Sequence, residues 1–295
     1  MIKKCIVFKR SYAYGFSLIE VAIVLVIISV LVAIVAVPLA TQLEQQRITE
    51  TNKQLEIIKE ALIGFTLANG RLPCPAGSNS AGQESFCTNA SAACGAPISV
   101  LPAHGRCSST NGFIPAAALG LSPVDSQGYM VDAFVKADVF NRLRYAVPDA
   151  TLFDVNPTTF PVGNLKKDYR VFTSVDGMRN ATMDKITTYS AGFLYACQED
   201  AAITTVASAN CGTRTELTRG TPAVIFSVAS NSEVALSNLT SGGEKSNQTP
   251  DSKVFFQGTR VDNRNGSTPY YFDDLVTWIS PNTLFARMVL VGKLP

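Results

Sequence analysis

The sequence predicts an α+β protein: a long N-terminal helix, apolar in its first half, packed on a mainly antiparallel β-sheet head with disulfide-tied loops. Three observations carry this. Val21 to Ala40 is apolar except for Ser29. Apolar residues then recur at helical spacing as far as Asn69. Beyond Gly70 the chain turns to short β-branched and aromatic runs parted by turn-rich pieces, and it holds six of the seven cysteines.

Residues 1–15 read as a basic leader, with Lys3, Lys4, Lys9 and Arg10 and no acid. Residues 16–40 are the apolar half of the helix, about 37 Å long at the helical rise. That covers a hydrocarbon core of about 30 Å, and the basic leader predicts a cytoplasmic N-terminus. Glu20 is the one carboxylate near the start of this span. A charge there costs several kcal/mol in lipid, so it needs a partner or a function. An ordinary secretory peptide fits poorly, because Gly15 precedes the apolar run and Pro38 stands where a small cleavage-site residue is wanted. Pro38 also removes the helical hydrogen bond to Ile34. A harmless kink at the membrane face and a melt that lets the helix repack both account for it.

Residues 41–69 continue the helix with one apolar stripe: Ile48, Leu55, Ile58, Leu62 and Phe65. Glu44, Gln45, Arg47, Glu50, Lys53, Glu56 and Lys59 occupy the other face. Asn69-Gly70 is a stop signal, with Pro73 just beyond. The whole spine, Phe16 to Asn69, would be about 80 Å long. The a/d repeat of a coiled coil is not sustained.

Residues 70–295 form the head. A Ser/Ala/Gly/Asn/Cys-rich stretch to about Gly112 reads as a tied loop, followed by an early strand region at Gly112-Phe113-Ile114-Pro115, Leu119-Gly120-Leu121 and Arg142 to Val147. Strands are expected at Tyr169 to Val175, Thr187 to Cys197, Ala223 to Val228, Lys253 to Gln257 and Leu275 to Ile279. Turn-rich pieces are Thr240 to Asp251 and Asp262 to Thr268. Ser280-Pro281 opens a short helix through Leu290.

Cys5 lies in the leader. Cys74, Cys87, Cys94, Cys107, Cys197 and Cys211 are an even set in the part expected to be exported, and read as up to three disulfides. Six cysteines allow 15 pairings. Locality favours Cys197–Cys211, and Cys87–Cys94 nested inside Cys74–Cys107. A zinc site finds no C-x-x-C pair and one histidine, His104, expected in an exposed loop. That single histidine also leaves little acid–base or triad chemistry, and no catalytic, cofactor or metal residue is assigned. Asp273-Asp274, placed on a strand, would point to opposite faces. A calcium loop at Asp262-Asn263-Arg264-Asn265-Gly266 has oxygen donors and a turn glycine, but Arg264 stands where a carboxylate or amide is wanted. Without the leader, 21 of the 25 basic residues face 23 acidic ones, which implies no nucleic-acid face.

Gly15-Phe16-Ser17-Leu18-Ile19-Glu20 resembles the prepilin signature of the type IV pilin and type II secretion pseudopilin superfamily, with Ser17 where Thr is usual. The resemblance implies a pilin-like fold and a structural subunit rather than an enzyme. A prepilin peptidase would cut after Gly15 and N-methylate Phe16, and Glu20 would pair with the N-terminal amine of a neighbouring subunit. Implied partners are that peptidase, other pilin or pseudopilin subunits, the inner-membrane assembly platform, and lipid before assembly. The implied location is the bacterial inner membrane, single-pass with a periplasmic head, and then a pilus or pseudopilus. The large head favours a minor subunit. A pilus-displayed adhesin or DNA-uptake receptor is the alternative, with a signal-anchored periplasmic enzyme behind it.

Overall fold

The computed structural model describes residues 15, 17–90, 93–134, 141–151, 169–181, 193–200, 210–231, 234, 236–263 and 269–294, without the side chains of 33–40. The chain divides into two compact units, Met1–Arg47 and Ile48–Pro295.

In the first unit, helix α1 (Leu18–Asn69) begins at Ser17, whose carbonyl accepts the N–H groups of Glu20 (3.0 Å) and Val21 (3.2 Å). Every described side chain from Ser17 to Val32 is exposed, Leu18 by 89%. Among the described residues, no helix is long and apolar enough to cross a membrane. The expected span of 16–40 includes Phe16 and the side chains of 33–40, which lie outside the described residues, as do residues 1–14. A helix apolar on every side has no face suited to water and requires lipid or other helices around it.

In the second unit, α1 buries Thr51, Leu55, Ile58, Leu62, Ile63 and Thr66, a stripe at helical spacing. Ile48 and Phe65, expected in that stripe, are half-buried at its edges. Both buried threonines are satisfied: Thr51 Oγ1 donates to Asp132 Oδ1 (2.7 Å) and Thr66 Oγ1 to the Leu62 carbonyl (2.7 Å). The helix stops at Asn69 because Gly70 turns left-handed (φ +72°) and gives its N–H to the Thr66 carbonyl.

A four-stranded sheet packs on this stripe, in the order β1 (Asn111–Phe113), β2 (Arg144–Ala146), β5 (Ala223–Ser227), β9 (Leu275–Ile279), antiparallel throughout. Tyr145, Ile225 and Ile279 join Leu55, Ile58 and Leu62 in one core. Helix α5 (Pro281–Leu290) closes it with Leu284, Phe285 and Met288. Leu62 is fully buried there, and Leu62→Ala should lower stability by about 2–5 kcal/mol in urea unfolding followed by circular dichroism. A loss under about 0.5 kcal/mol, the range of surface changes, would mean that α1 does not seal this core.

The second sheet has the order β4 (Glu216–Thr221), β3 (Leu194–Gln198), β6 (Val254–Gln257), with β3–β6 the parallel pairing among the described strands. Strands β7 (Val261–Asn263) and β8 (Tyr270–Phe272) form an antiparallel pair. The disulfides are Cys74–Cys107, Cys87–Cys94 and Cys197–Cys211.

Three expectations are corrected. Leu119-Gly120-Leu121 is not strand: α2 (Ala116–Leu119) ends there, closed by left-handed Gly120. Tyr169 to Val175 is a turn leading into α3 (Val175–Asn180), because Ser174 Oγ takes the Gly177 N–H (2.9 Å) as a helix cap. Thr240 to Asp251 is not merely turns: it contains α4 (Gly242–Gln248), capped by Ser241. Residues 187–192 of another expected strand lie outside the described residues.

Candidate functional site

Two places carry chemistry, one in each unit. At the N-terminus, Gly15 is exposed, and a Cβ built on it would meet nothing within 4 Å. Phe16 lies outside the described residues. Glu20 is exposed in the first turn of α1, where its charge suits the positive end of the helix dipole.

The second place is a buried acid cluster in the head that strand reasoning about Asp273-Asp274 missed. Those residues are not on a strand: they form the link between β8 and β9. The backbone there turns both carboxylates inward, to 6% and 2% exposure, beside Glu244 of α4 at 0%. One carboxylate oxygen from each of the three lies within 4.8 Å of the others.

The local sequence explains how Glu244 arrives. Ser241 accepts the N–H groups of Gly243 (3.0 Å) and Glu244 (3.1 Å), which fixes the first turn of α4. Glu244 does not complete a capping box with Ser241; its Oε1 instead accepts the Asp273 N–H (3.1 Å). Asp273 Oδ2 accepts from Ser230 N (3.1 Å) and from the Ser230 and Tyr271 hydroxyls. Asp274 Oδ2 accepts from Asn247 Nδ2 (2.8 Å), an amide itself locked to the backbone of Phe256.

One oxygen on each acid is thereby held. Of the other three, Asp273 Oδ1 and Asp274 Oδ1 have no hydrogen-bond partner, while the Asn231 amide acts on the Glu244 carboxylate. Burial, then the charges of Asp274 and Asp273, push the Glu244 carboxyl well above the ordinary carboxylate range. Burial and then Asp273 push Asp274 the same way, against Asn247 and Arg144. At these exposures the three carboxylates are withdrawn from solvent.

His104, expected in an exposed loop, is half-buried, with Nδ1 accepting the Arg106 N–H at 3.0 Å. Of the weighed calcium loop, Asp262 and Asn263 are in β7, and residues 264–266 lie outside the described residues.

Residues 10–36 match the family model described as the prokaryotic N-terminal methylation motif. No curated protein and no solved structure matches the chain. Over this segment the chain is similar to prepilin-type proteins of the type IV pilin and pseudopilin superfamily, whose role is structural.

Proposed function

We propose that the chain is a minor subunit of a type IV pilus or type II secretion pseudopilus. The observation that carries this is the methylation motif at residues 10–36, joined to a helix whose described apolar side chains, Leu18 to Val32, are all exposed. Before assembly, lipid would cover residues 16–40 as a single inner-membrane span, with the N-terminus cytoplasmic and the head periplasmic. After assembly, neighbouring helices would cover it.

A prepilin peptidase cuts between Gly15 and Phe16 and methylates the new amine. The space around Gly15 supports this reading, because nothing in the described chain requires a glycine there and the demand falls on an outside enzyme. In the filament, Glu20 meets the Phe16 amine of a neighbour, since either charge alone in an apolar bundle would be stranded. The head, 70–295, is large for repetition along a thin fibre, which favours low copy number. It serves a structural role and not a catalytic one.

Coexpression with a prepilin peptidase should yield a chain that begins at Phe16 and carries one added methyl group. Gly15→Leu should leave the leader attached. Intact mass showing cleavage near Ala40 in both proteins would defeat the proposal.

A further inference from the structure

The loop tied by Cys74–Cys107 and Cys87–Cys94 carries a cleft of about 430 Å³. That lies in the range of small-molecule sites, roughly 300–1,000 Å³. Its lining is fixed at three places. The Tyr129 hydroxyl accepts the N–H groups of Ser80 (3.0 Å) and Ala81 (3.1 Å) and donates to the Gly77 carbonyl (2.7 Å). Ile98 exchanges both backbone hydrogen bonds with Phe86, at 2.8 and 2.9 Å. Ser108 gives its N–H to the Ser85 carbonyl (2.9 Å) and its hydroxyl to Ser85 Oγ (2.7 Å).

This pinning holds Ala81 at φ +51°, a left-handed conformation for which glycine is the ordinary choice. Strain of that kind survives only where the surroundings impose it, and it collects at ligand clamps. A rigid lining also lowers the ordering cost of binding.

The chemistry of the lining is polar and neutral. Ser78, Asn79, Gln83 and Ser99 are exposed, and no other described residue engages their side chains. They offer hydroxyl and amide groups that both donate and accept. Glu84 is the one charged side chain of the lining, and Arg71 behind it supplies the counter-charge. Its Oε1 accepts from Arg71 Nη1 (2.6 Å) and the Cys74 N–H (2.8 Å), and its Oε2 from Arg71 Nη2 (2.8 Å). Three of about four acceptor positions on the carboxylate are then used, and one on Oε2 is open to a hydroxyl donor. Pro97 and Ile98 add an apolar stretch to the same cleft.

We propose that this cleft binds a neutral saccharide. A sugar ring has the matching division: hydroxyls for Asn79, Gln83 and the Glu84 carboxylate, and C–H groups for Pro97 and Ile98. A ligand carboxylate would instead meet Glu84, which has no proton to give. The site goes beyond the assembly role, and its success or failure is independent of that reading.

The test uses the purified full-length protein in a detergent without sugar. Glucose, galactose, mannose and N-acetylglucosamine, and the methyl glycoside of each, are titrated in by calorimetry and saturation-transfer NMR. Saturable binding at one site per chain, in the millimolar range, is expected for at least one of them. Free sugars stand for a soluble ligand and methyl glycosides for the end of a glycan chain. Binding of either supports the proposal, and the stronger arm identifies the source. Asn79→Ala and Gln83→Ala should each weaken binding about three- to tenfold, the worth of one hydrogen bond. Thermal unfolding of both variants should match the parent, since neither side chain is engaged in the fold. No saturable binding of any of these sugars to the unaltered protein would overturn the proposal. Variants that bind like the parent would overturn the choice of cleft, and glucuronate bound as tightly as glucose would overturn the neutral class.

Discussion

Glu20→Ala is expected to leave the protein inserted and cleaved but to remove it from filaments. Losing the carboxylate makes the apolar segment cheaper to place in lipid, so insertion should hold or improve slightly. Cleavage should persist, because Gly15 and the basic leader are unchanged. Assembly is where the loss falls. On the proposed pairing, the Phe16 amine of the neighbour would be left a buried unpaired charge, at a cost of about 3–5 kcal/mol. At about 1.4 kcal/mol per factor of ten, recovery in sheared filament fractions should fall about a hundredfold or more. Glu20→Gln keeps the shape and hydrogen-bonding capacity and should fail nearly as badly. If both variants appeared in filaments at the parental level, Glu20 would have no part in assembly.

The second large effect is expected at Glu84, inside the tied loop that follows α1. Arg71 is 5% exposed and pairs with both Glu84 oxygens, at 2.6 and 2.8 Å. Glu84 Oε1 also accepts the Cys74 N–H at 2.8 Å, next to the Cys74–Cys107 bridge. Glu84→Ala would leave a buried guanidinium with the Leu72 carbonyl but without its counter-charge, and the Cys74 backbone donor unpaired, with Phe65 and Phe86 rings packed around the cation. Stability should drop by about 3–5 kcal/mol in urea unfolding. Glu84→Gln should cost less, since it keeps an acceptor for Cys74. A loss under about 1 kcal/mol for Glu84→Ala would place this ion pair among the surface ones, such as Arg287–Glu60, which contribute little.

Much of the fold was legible because apolar patterning governs it. The end of α1 at Asn69 followed from Gly70, and β5, β6 and β9 followed from compact runs such as Ala223 to Ser227, buried on both faces. What misled was polar sequence used in the interior. Gly-Gly-Glu-Lys-Ser-Asn-Gln has no apolar period, yet it is helical, held by Ser241 at one end and by buried polar partners along its length. The signal available was Ser241-x-x-Glu244, the spelling of a capping box, which marks a helix start. Tyr169 to Val175 has the residues of a strand, but Ser174 opens a helix there.

The N-terminal motif was legible, since it is written in consecutive residues. The acid cluster was not, because it joins α4 to a link about thirty residues away through tertiary packing. Asp273-Asp274 read as a strand pair with opposed side chains; the two-residue link between β8 and β9 releases them from that alternation.

The central claim is that this chain is a processed filament subunit. Intact-mass analysis of the chain sheared from the surface of cells that naturally make it tests this most directly. The expected result is a protein that begins at Phe16, carries one methyl group on its amine, and has all six remaining cysteines oxidised. A chain found only in the membrane fraction, still beginning at Met1 or cut near Ala40, would contradict it.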